Sequence, residues 1–254
     1  MTIFNGIVYL TTCLLLLLSP ASSQSTQSLA RIVGGTKTTI NNVPYLVQLR
    51  QQGNFICGGT LVAPRFVVTA AHCVIGIRPG QLTVVGGATR LSQRGVRRAV
   101  RKVIRPSSFT MKNLSRDVAV LKLASPMRGS NTRPIALNTA KLSRNMSVRV
   151  SGWGLTKENS NRVSAQVRTV TVPIISKARC AANYRQLLTL TPTMFCAAAP
   201  GKDACTGDSG GPAVCNGRLC GVVSFGYGCA RSNFPGIYTS IRSVQGIIRK
   251  ALKQ

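Results

Sequence analysis

The sequence predicts an all-β fold, a barrel or a sandwich, that ends in one amphipathic helix. Short apolar or alternating runs, which are typical of strands, are separated by Gly, Pro and Asn turn signals. Near the C-terminus, Val244, Ile247, Ile248 and Leu252 recur at helical spacing. A chain of 254 residues with 44% apolar content is long enough for one large or two modest cores. The strand-like runs cover residues 45–49, 66–69, 82–85, 118–123, 147–150, 170–175 and 221–225.

The N-terminus has the pattern of a secretory signal peptide. A mostly apolar run from Ile7 to Leu18 ends at Ser19-Pro20 and is followed by small residues. We therefore expect a signal peptide over residues 1–23. The segment before the run lacks Lys and Arg, which leaves a membrane anchor as the alternative. The run is shorter than the roughly 20 residues of a spanning helix, so we expect a secreted, extracellular protein without a membrane anchor.

The cysteine count suits an oxidising route. Removal of the signal peptide also removes Cys13 and leaves an even number of cysteines. Spacing alone cannot pair them. A zinc site is disfavoured because the chain has one histidine and no CxxC spacing. The eight cysteines are Cys57, Cys73, Cys180, Cys196, Cys205, Cys215, Cys220 and Cys229.

The charge is extreme, with 33 Lys and Arg against four acidic residues and a formal net charge of +29. Such a chain binds polyanions at least non-specifically. Specific nucleic-acid binding is not expected, because motifs are absent and aromatic residues make up only 5% of the chain. Three of the four acids and the only histidine fall in or beside short segments of distinctive sequence, described next. These acids therefore have roles other than keeping the surface soluble.

Four short segments carry the chemistry. His72 lies in TAAHC after a strand-like run, although a lone histidine is more often a core or surface residue. Asp117 leads directly into an apolar strand, where a buried charge needs a partner. The segment GDSGGP at 207–212 has glycines that let backbone N–H groups approach a ligand, or it is simply a Gly-Pro turn. The segment RIVGG at 31–35 places a basic residue before an apolar one shortly after the signal peptide.

In this order and at this spacing, the four segments resemble the chymotrypsin and trypsin family of serine endopeptidases. The resemblance runs from Arg31 to the end of the chain. It implies two six-stranded antiparallel β-barrels, packed face to face with the active site between them, and it agrees with the all-β pattern. The boundary would fall near Ile135, with an N-terminal barrel over about 32–135 and a C-terminal barrel over about 136–254.

The resemblance assigns the catalytic roles. His72 is similar to the family's general base, Asp117 to the carboxylate that orients its ring, and Ser209 to the nucleophile. The physics requires all three, because a serine hydroxyl is a poor nucleophile until an imidazole takes its proton. The backbone N–H groups of Gly207 and Ser209 would form the oxyanion hole. The implied reaction is peptide hydrolysis through an acyl-enzyme, with no cofactor or metal.

The resemblance also implies a specificity. Asp203 lies six residues before Ser209, in a segment similar to the trypsin specificity pocket, where an acid selects Arg or Lys before the cleaved bond. Gly226 and Gly236 match wall positions that leave the pocket open. Ser224, with Gly226, would align the substrate backbone as an added strand. Substrates would be proteins or peptides with Arg or Lys before the cleaved bond.

Arg31 and Ile32 resemble a zymogen cleavage site that follows a propeptide over residues 24–31. Cleavage there would free the Ile32 amine to pair with Asp208 and order the oxyanion hole. The activating protease would be another enzyme or this one, since it should accept Arg.

The disulfide pairing also comes from the resemblance, which suggests three bonds. Two further cysteines remain five residues apart and would clip a hairpin. The expected pairs are Cys57 with Cys73, Cys180 with Cys196, Cys205 with Cys229, and Cys215 with Cys220.

A basic stretch distinguishes this chain from trypsin. Residues 89–105, where trypsin carries a calcium loop, contain seven basic residues and no acid, so calcium binding is not expected. The stretch resembles the polyanion-binding or protein-binding exosites that some relatives carry on the same surface, which makes a heparin-like polyanion a candidate partner. The alternative is a solvated basic face. Sequons at Asn113 and Asn145 are candidate glycosylation sites. We expect a monomer. The alternative function is a polyanion-binding or antimicrobial protease-fold protein with little catalysis, although such members usually lack a triad residue and this chain has all three.

Overall fold

Thirteen β-strands and two α-helices make up the fold in the computed structural model, which describes residues 34–254. A two-residue strand, β1 (Thr36–Lys37), is the first of them. The expected signal peptide, the propeptide and the Arg31-Ile32 bond lie outside the described residues.

Six antiparallel strands close into a first barrel in the order β2-β3-β4-β7-β6-β5. Its interior is apolar because alternate side chains of each strand point inward; Leu61, Val68 and Val120, for example, are fully buried. The bounds of these strands are β2 (Leu46–Gln51), β3 (Asn54–Ala63), β4 (Phe66–Thr69), β5 (Leu82–Gly86), β6 (Val96–Ile104) and β7 (Ala119–Leu123).

Six further antiparallel strands form the second barrel, in the order β9-β8-β11-β12-β13-β10. An antiparallel bridge between Ile174 and Ala197 closes it, beside a 3.0 Å hydrogen bond from Ile175 N–H to the Cys196 carbonyl. The all-β prediction of two six-stranded barrels is thereby confirmed. The bounds are β8 (Ser147–Gly152), β9 (Arg168–Pro173), β10 (Met194–Ala197), β11 (Pro212–Cys215), β12 (Arg218–Phe225) and β13 (Gly236–Ser240).

Strand β1 pairs with β9 of the second barrel, although the sequence assigned residues 32–135 to the first. The Arg168 guanidinium donates to the Gly35 carbonyl at 3.0 Å, and Thr38 N–H donates to the Val167 carbonyl at 3.0 Å. Residues 35–38 therefore lie on the second barrel. The division near Ile135 stays a prediction.

The C-terminal helix predicted from the apolar stripe is present as α2 (Ile241–Leu252) and packs on the second barrel. Val244 and Ile248 are buried, whereas Ile247 and Leu252 are only partly buried against the core. The other helix is α1 (Lys177–Tyr184), which begins at a Ser176 side-chain cap. Neither helix of residues 34–254 has the length and apolar character needed to cross a bilayer.

The single tryptophan, Trp153, joins the two barrels. Its indole is 1% exposed, and Nε1–H donates to the Thr89 carbonyl at 3.0 Å. The ring of Phe55, from the first barrel, meets it edge-on at 6.0 Å between ring centres. This contact fixes how the two barrels face each other at the cleft described next.

Candidate active site

A cavity of about 320 Å³ lies where the two barrels meet. The first barrel contributes His72 and Leu114 to its lining, and the second contributes Ser209, Ser224 and Gly226. Residues far apart in sequence therefore meet in one cleft. Leu114 and its neighbour Met111, which also lines the cavity, carried no sequence signal for this role.

His72 begins a short 3-10 helix after β4, and Asp117 fixes both its backbone and its ring. Asp117 Oδ1 accepts from His72 N–H at 2.9 Å, and Oδ2 lies 2.7 Å from Nδ1. A carboxylate can only accept, so the proton belongs on Nδ1 and Nε2 keeps its lone pair. The imidazole is thus held in the tautomer that a base toward the cavity requires.

Asp117 itself is fully buried just before β7. Ser224 Oγ donates to its Oδ2 at 2.6 Å, and Thr239 Oγ1 donates to its backbone carbonyl at 3.0 Å. A buried carboxylate is stable only when hydrogen bonds replace the lost water. Sequence analysis predicted only a substrate-binding role for Ser224, so its bond to Asp117 is an additional contact of that residue.

Ser209 lies in the loop before β11, anchored to the first barrel. Its carbonyl accepts from Gly58 N–H at 2.8 Å. The next residue, Gly210, has φ +76°, and a Cβ there would lie 2.2 Å from Thr69 Oγ1, so only glycine fits. Within residues 34–254, no hydrogen bond joins Ser209 Oγ to His72; such bonds often tighten only when substrate is bound.

Gly207 has φ +94°, a conformation that side chains rarely adopt. A Cβ at Gly207 would lie 3.2 Å from Gly154 Cα. No acceptor within residues 34–254 takes the N–H of Gly207 or of Ser209. Two neighbouring backbone donors next to the serine hydroxyl can therefore bind an oxyanion.

Asp203 is 2% exposed and lies behind the cavity wall at Gly236. Its Oδ2 accepts from Ala230 N–H at 3.0 Å, whereas Oδ1 has no partner among the described residues. A Cβ on Gly236 would lie 2.8 Å from this Oδ1 and 3.2 Å from the Tyr238 hydroxyl, which also lacks a partner there. Two buried polar atoms thus flank the glycine, ready for a polar ligand group.

The environment of Asp203 disfavours its charge. Burial raises the pKa of Asp203 to about 7, although backbone hydrogen bonds from Ala230 and Ala204 lower it. Asp203 also lines a second cavity of about 250 Å³, together with the basic Arg179, Lys202 and Arg231. None of these three side chains forms an ion pair with Asp203.

Asp208 is fully buried beside Ser209. Its two oxygens accept from Gly154 N–H at 2.8 Å and from Cys205 N–H at 3.0 Å. Burial raises the pKa of Asp208 to about 6. No basic side chain of residues 34–254 pairs with it. Gly152 and Gly154 make room for the carboxylate, since a Cβ on either would lie within 2.4 Å of its oxygens.

The cysteines form the four expected pairs, of which two border the site. The Cys57 and Cys73 sulfurs lie near His72, but their disulfide leaves no thiolate for a metal ion. The Cys205 to Cys229 bond ties the Ser209 loop to the loop that carries Ala230. The remaining pairs are Cys180 with Cys196 and Cys215 with Cys220.

Comparisons with known proteins agree with this geometry. The family model described as Trypsin matches residues 32–248. Seminase of Drosophila melanogaster is 42% identical over 226 residues, which cover 88% of this chain and 82% of that protein. Trypsin alpha of Drosophila melanogaster is 40% identical over 213 residues, 83% of each chain.

A solved structure has the same fold. It is neuropsin, described as a serine protease expressed in the limbic system of mouse brain, with a TM-score of 0.79 and 30% identity. The match covers 86% of this chain and 98% of that one. The chain belongs to the trypsin family and is a trypsin-like serine endopeptidase.

Proposed function

We propose that this chain is a secreted zymogen whose mature form, cut between Arg31 and Ile32, hydrolyses peptide bonds after Arg or Lys. The observation that carries the specificity is the unpaired, buried Oδ1 of Asp203 beside Gly236. A guanidinium or ammonium entering past Gly226 would supply the missing partner, and a buried pair of this kind discriminates strongly against neutral side chains.

In this mechanism Ser209 Oγ attacks the carbonyl carbon of the scissile bond while its proton passes to His72 Nε2. The ring then gives that proton to the leaving nitrogen, which breaks the C–N bond and leaves an ester on Ser209. Water then attacks the ester carbonyl while His72 takes its proton. The bond to Ser209 Oγ breaks, Oγ takes that proton back from His72, and the acid product leaves. Asp117 stabilises the imidazolium through the 2.7 Å bond to Nδ1. The Gly207 and Ser209 N–H groups bind the oxyanion, at about 3 to 4 kcal/mol of barrier per donor.

Activation would act through Asp208. A fully buried carboxylate without a basic partner is costly, and the new Ile32 ammonium would supply that partner. The 2.8 Å bond from Gly154 N–H to Asp208, together with the close approach of Gly154 to Gly207, supports this link between the Asp208 charge and the Gly207 backbone. The cutting enzyme is another protease or a second molecule of this one, because the site ends in Arg.

A second proposal concerns the basic stretch, which we infer to bind heparin-like polyanions. Arg94, Arg97, Arg101 and Arg105 are exposed on or beside β6. The pKa of Arg50 is lowered by burial and then by the nearby charge of Arg97, so basic groups crowd one face. Lys102 and Lys122 stand directly opposite each other in the β6 and β7 register. Like charges held this close suit an anionic partner, and their repulsion between copies favours a monomer.

The test of the proteolytic function uses the full chain after cleavage at Arg31. We expect amide substrates with Arg or Lys to be cleaved and those with Leu or Glu to be spared. Ser209→Ala should lower the rate by at least about a thousandfold, because the triad works as a unit. Asp203→Ser is the control that should abolish the basic preference and keep the ability of Ser209 to react with a small organophosphonate. A Ser209→Ala rate within tenfold of the original would refute the mechanism and favour the binding-protein alternative.

A further inference from the structure

Glu158 is the one acid of the chain that the catalytic and specificity sites do not use. Asp117, Asp203 and Asp208 are buried, whereas the Glu158 side chain is 32% exposed. It lies in the loop after Trp153. The chain has 33 Lys and Arg residues, and the one whose side chain pairs with Glu158 is Arg231. No other carboxylate of residues 34–254 pairs with a Lys or Arg.

Arg231 is held from two sides. Its Nε–H and its Nη2 both lie 2.8 Å from Glu158 Oε1. The guanidinium also lies over the Tyr227 ring, 5.2 Å from the ring centre, as a cation bound to an aromatic face. These two contacts fix the direction in which the charge of Arg231 points.

The pair lies against the wall of the specificity pocket. Gly228 lines the cavity that contains His72 and Ser209, and it has φ +76°. A Cβ on Gly228 would lie 2.4 Å from both Glu158 Oε1 and Arg231 Nε. The ion pair therefore occupies the space that a side chain at position 228 would need.

Without Glu158, Arg231 could reach the acid of the pocket. Arg231 follows Ala230, whose N–H is bonded to Asp203 Oδ2, and it lines the 250 Å³ cavity that Asp203 also lines. The Oδ1 of Asp203, which has no partner among the described residues, would attract a guanidinium that entered this cavity, whether from Arg231 or from a substrate. Arg231 is thus a potential internal competitor for Asp203.

We propose that Glu158 is a positioning residue for specificity: it sequesters the Arg231 guanidinium, so that Asp203 stays available to the basic side chain of a substrate. This inference rests on the proposed role of Asp203. The ion pair is too exposed to matter much for global stability, so its effect is local. The net charge of the chain is +29. Glu158 is its only acidic side chain that is not buried, and it lies at the rim of the pocket that is proposed to bind a cation.

The test compares Glu158→Gln, Arg231→Gln and the double variant in the activated full chain, with benzamidine as the probe of the pocket. We expect Glu158→Gln to weaken benzamidine binding and raise KM for Arg substrates about tenfold at low salt, with kcat within about twofold. The double variant should bind like Arg231→Gln, because removing the competitor makes Glu158 unnecessary. The loss in Glu158→Gln should shrink in 1 M salt, where the Debye length is about 3 Å.

Two matched controls isolate the competitor. Lys157→Gln changes a neighbouring exposed charge of the same loop, and we expect it to leave binding unchanged. Arg179→Gln removes another basic side chain that lines the Asp203 cavity, and combined with Glu158→Gln it should fail to restore binding. Rescue by Arg179→Gln as complete as by Arg231→Gln would mean that general charge, and not Arg231, governs the pocket, and would overturn the inference.

The remaining outcomes separate this inference from the proposed function. If the unaltered enzyme neither binds benzamidine nor cleaves after Arg or Lys, the role of Asp203 itself is wrong. If it does both and Glu158→Gln behaves identically, only the role of Glu158 is wrong. A double variant as weak as Glu158→Gln would also overturn the inference, because a simple loop clamp would then explain the loss.

Discussion

Ser224 in β12 donates a 2.6 Å hydrogen bond to Oδ2 of Asp117, 107 residues earlier in the chain. That oxygen is also the one that faces Nδ1 of His72. The second barrel therefore helps to hold a carboxylate that belongs to the first, and the alignment of the imidazole depends on both barrels. A residue predicted to align the substrate backbone thus also helps to hold the Asp117 carboxylate that orients His72.

Removal of this donor should impair catalysis. We expect Ser224→Ala to lower kcat by about tenfold or more, because a hydrogen bond to a buried charged group contributes about 1.5 to 3 kcal/mol. Steady-state kinetics on an Arg amide substrate measure the effect. Thr239→Val is the matched control, since it removes a bond to the Asp117 backbone carbonyl and leaves the carboxylate untouched. Equal losses in the two variants would contradict a specific role for Ser224.

The pocket should bind cations in a pH-dependent way. Below its pKa of about 7, Asp203 is neutral, so benzamidine affinity should rise up to about tenfold per pH unit and level off above pH 7. Direct binding, by calorimetry on the Ser209→Ala variant, avoids the titration of catalysis. Asp203→Asn should bind weakly at every pH. A flat profile in the unaltered pocket would place the responsible acid elsewhere.

The same shift has a consequence for stability, and its sign is definite. The folded state holds the Asp203 proton more tightly than the unfolded chain, where the pKa is 3.8. Ionising Asp203 therefore lowers the free energy of unfolding as pH rises from about 4 to about 7, after which the loss is constant. The buried, ionised Asp203 carboxylate therefore makes the folded protein less stable at neutral pH than it is at pH 4.

Cleavage at Arg31 should stabilise the protein in a bell-shaped way with pH. Burial raises the pKa of Asp208 from 3.8 to about 6, so its ionisation destabilises the uncut chain increasingly from pH 4 to pH 6. In the mature enzyme the Ile32 ammonium would offset that loss until the amine deprotonates, above the value of about 8 typical of α-amines. The difference in melting temperature between mature and uncut protein should thus be greatest between these limits.

Acetylation of the new amine should remove both the extra stability and the activity at neutral pH. The control is the uncut chain treated with the same reagent, whose stability should change little. Full activity of an acetylated Ile32 enzyme would rule out pairing with Asp208.

Polyanion binding should be concentrated on the β6 face. Replacement of Arg94, Arg97, Arg101 and Arg105 with Gln should flatten the slope of heparin affinity against salt by about three to four units, since each lost contact releases about one fewer counterion on binding. The matched control replaces exposed arginines elsewhere. Equal changes in both sets would show a diffuse field in place of an exosite. The control residues are Arg144, Arg185, Arg242 and Arg249.

The strands that the sequence predicted are those with apolar or alternating runs between turn signals. Strand β4 has the predicted bounds 66–69, and every other predicted run overlaps a strand. Strand β3 was missed because Gly58 and Gly59 break its pattern. Those glycines are needed for packing, since a Cβ on Gly58 would lie 3.0 Å from Gly211 Cα. Strand β6 was missed because basic residues fill its exposed positions.

Within the site, sequence motifs identified the functional residues that lie in short, continuous segments of the chain. The histidine, acid and serine segments each carry a signature, and the resemblance then assigned their roles. Contacts made by ordinary residues carried no such signature: the Ala230 N–H on Asp203 and the ion pair of Glu158 with Arg231 arise only when separate loops meet. Such contacts depend on tertiary packing, which a single sequence does not display.

The buried position of Trp153 gives the protein an intrinsic optical reporter. The chain has one tryptophan, so its emission comes from a single environment. The indole is bonded to Thr89 of the first barrel, and the residue that follows it, Gly154, donates to Asp208. A rearrangement of the Asp208 carboxylate on the proposed cleavage after Arg31 would therefore act on the backbone next to this chromophore. A change in Trp153 emission on that cleavage would report the proposed conversion in the natural sequence, without a label.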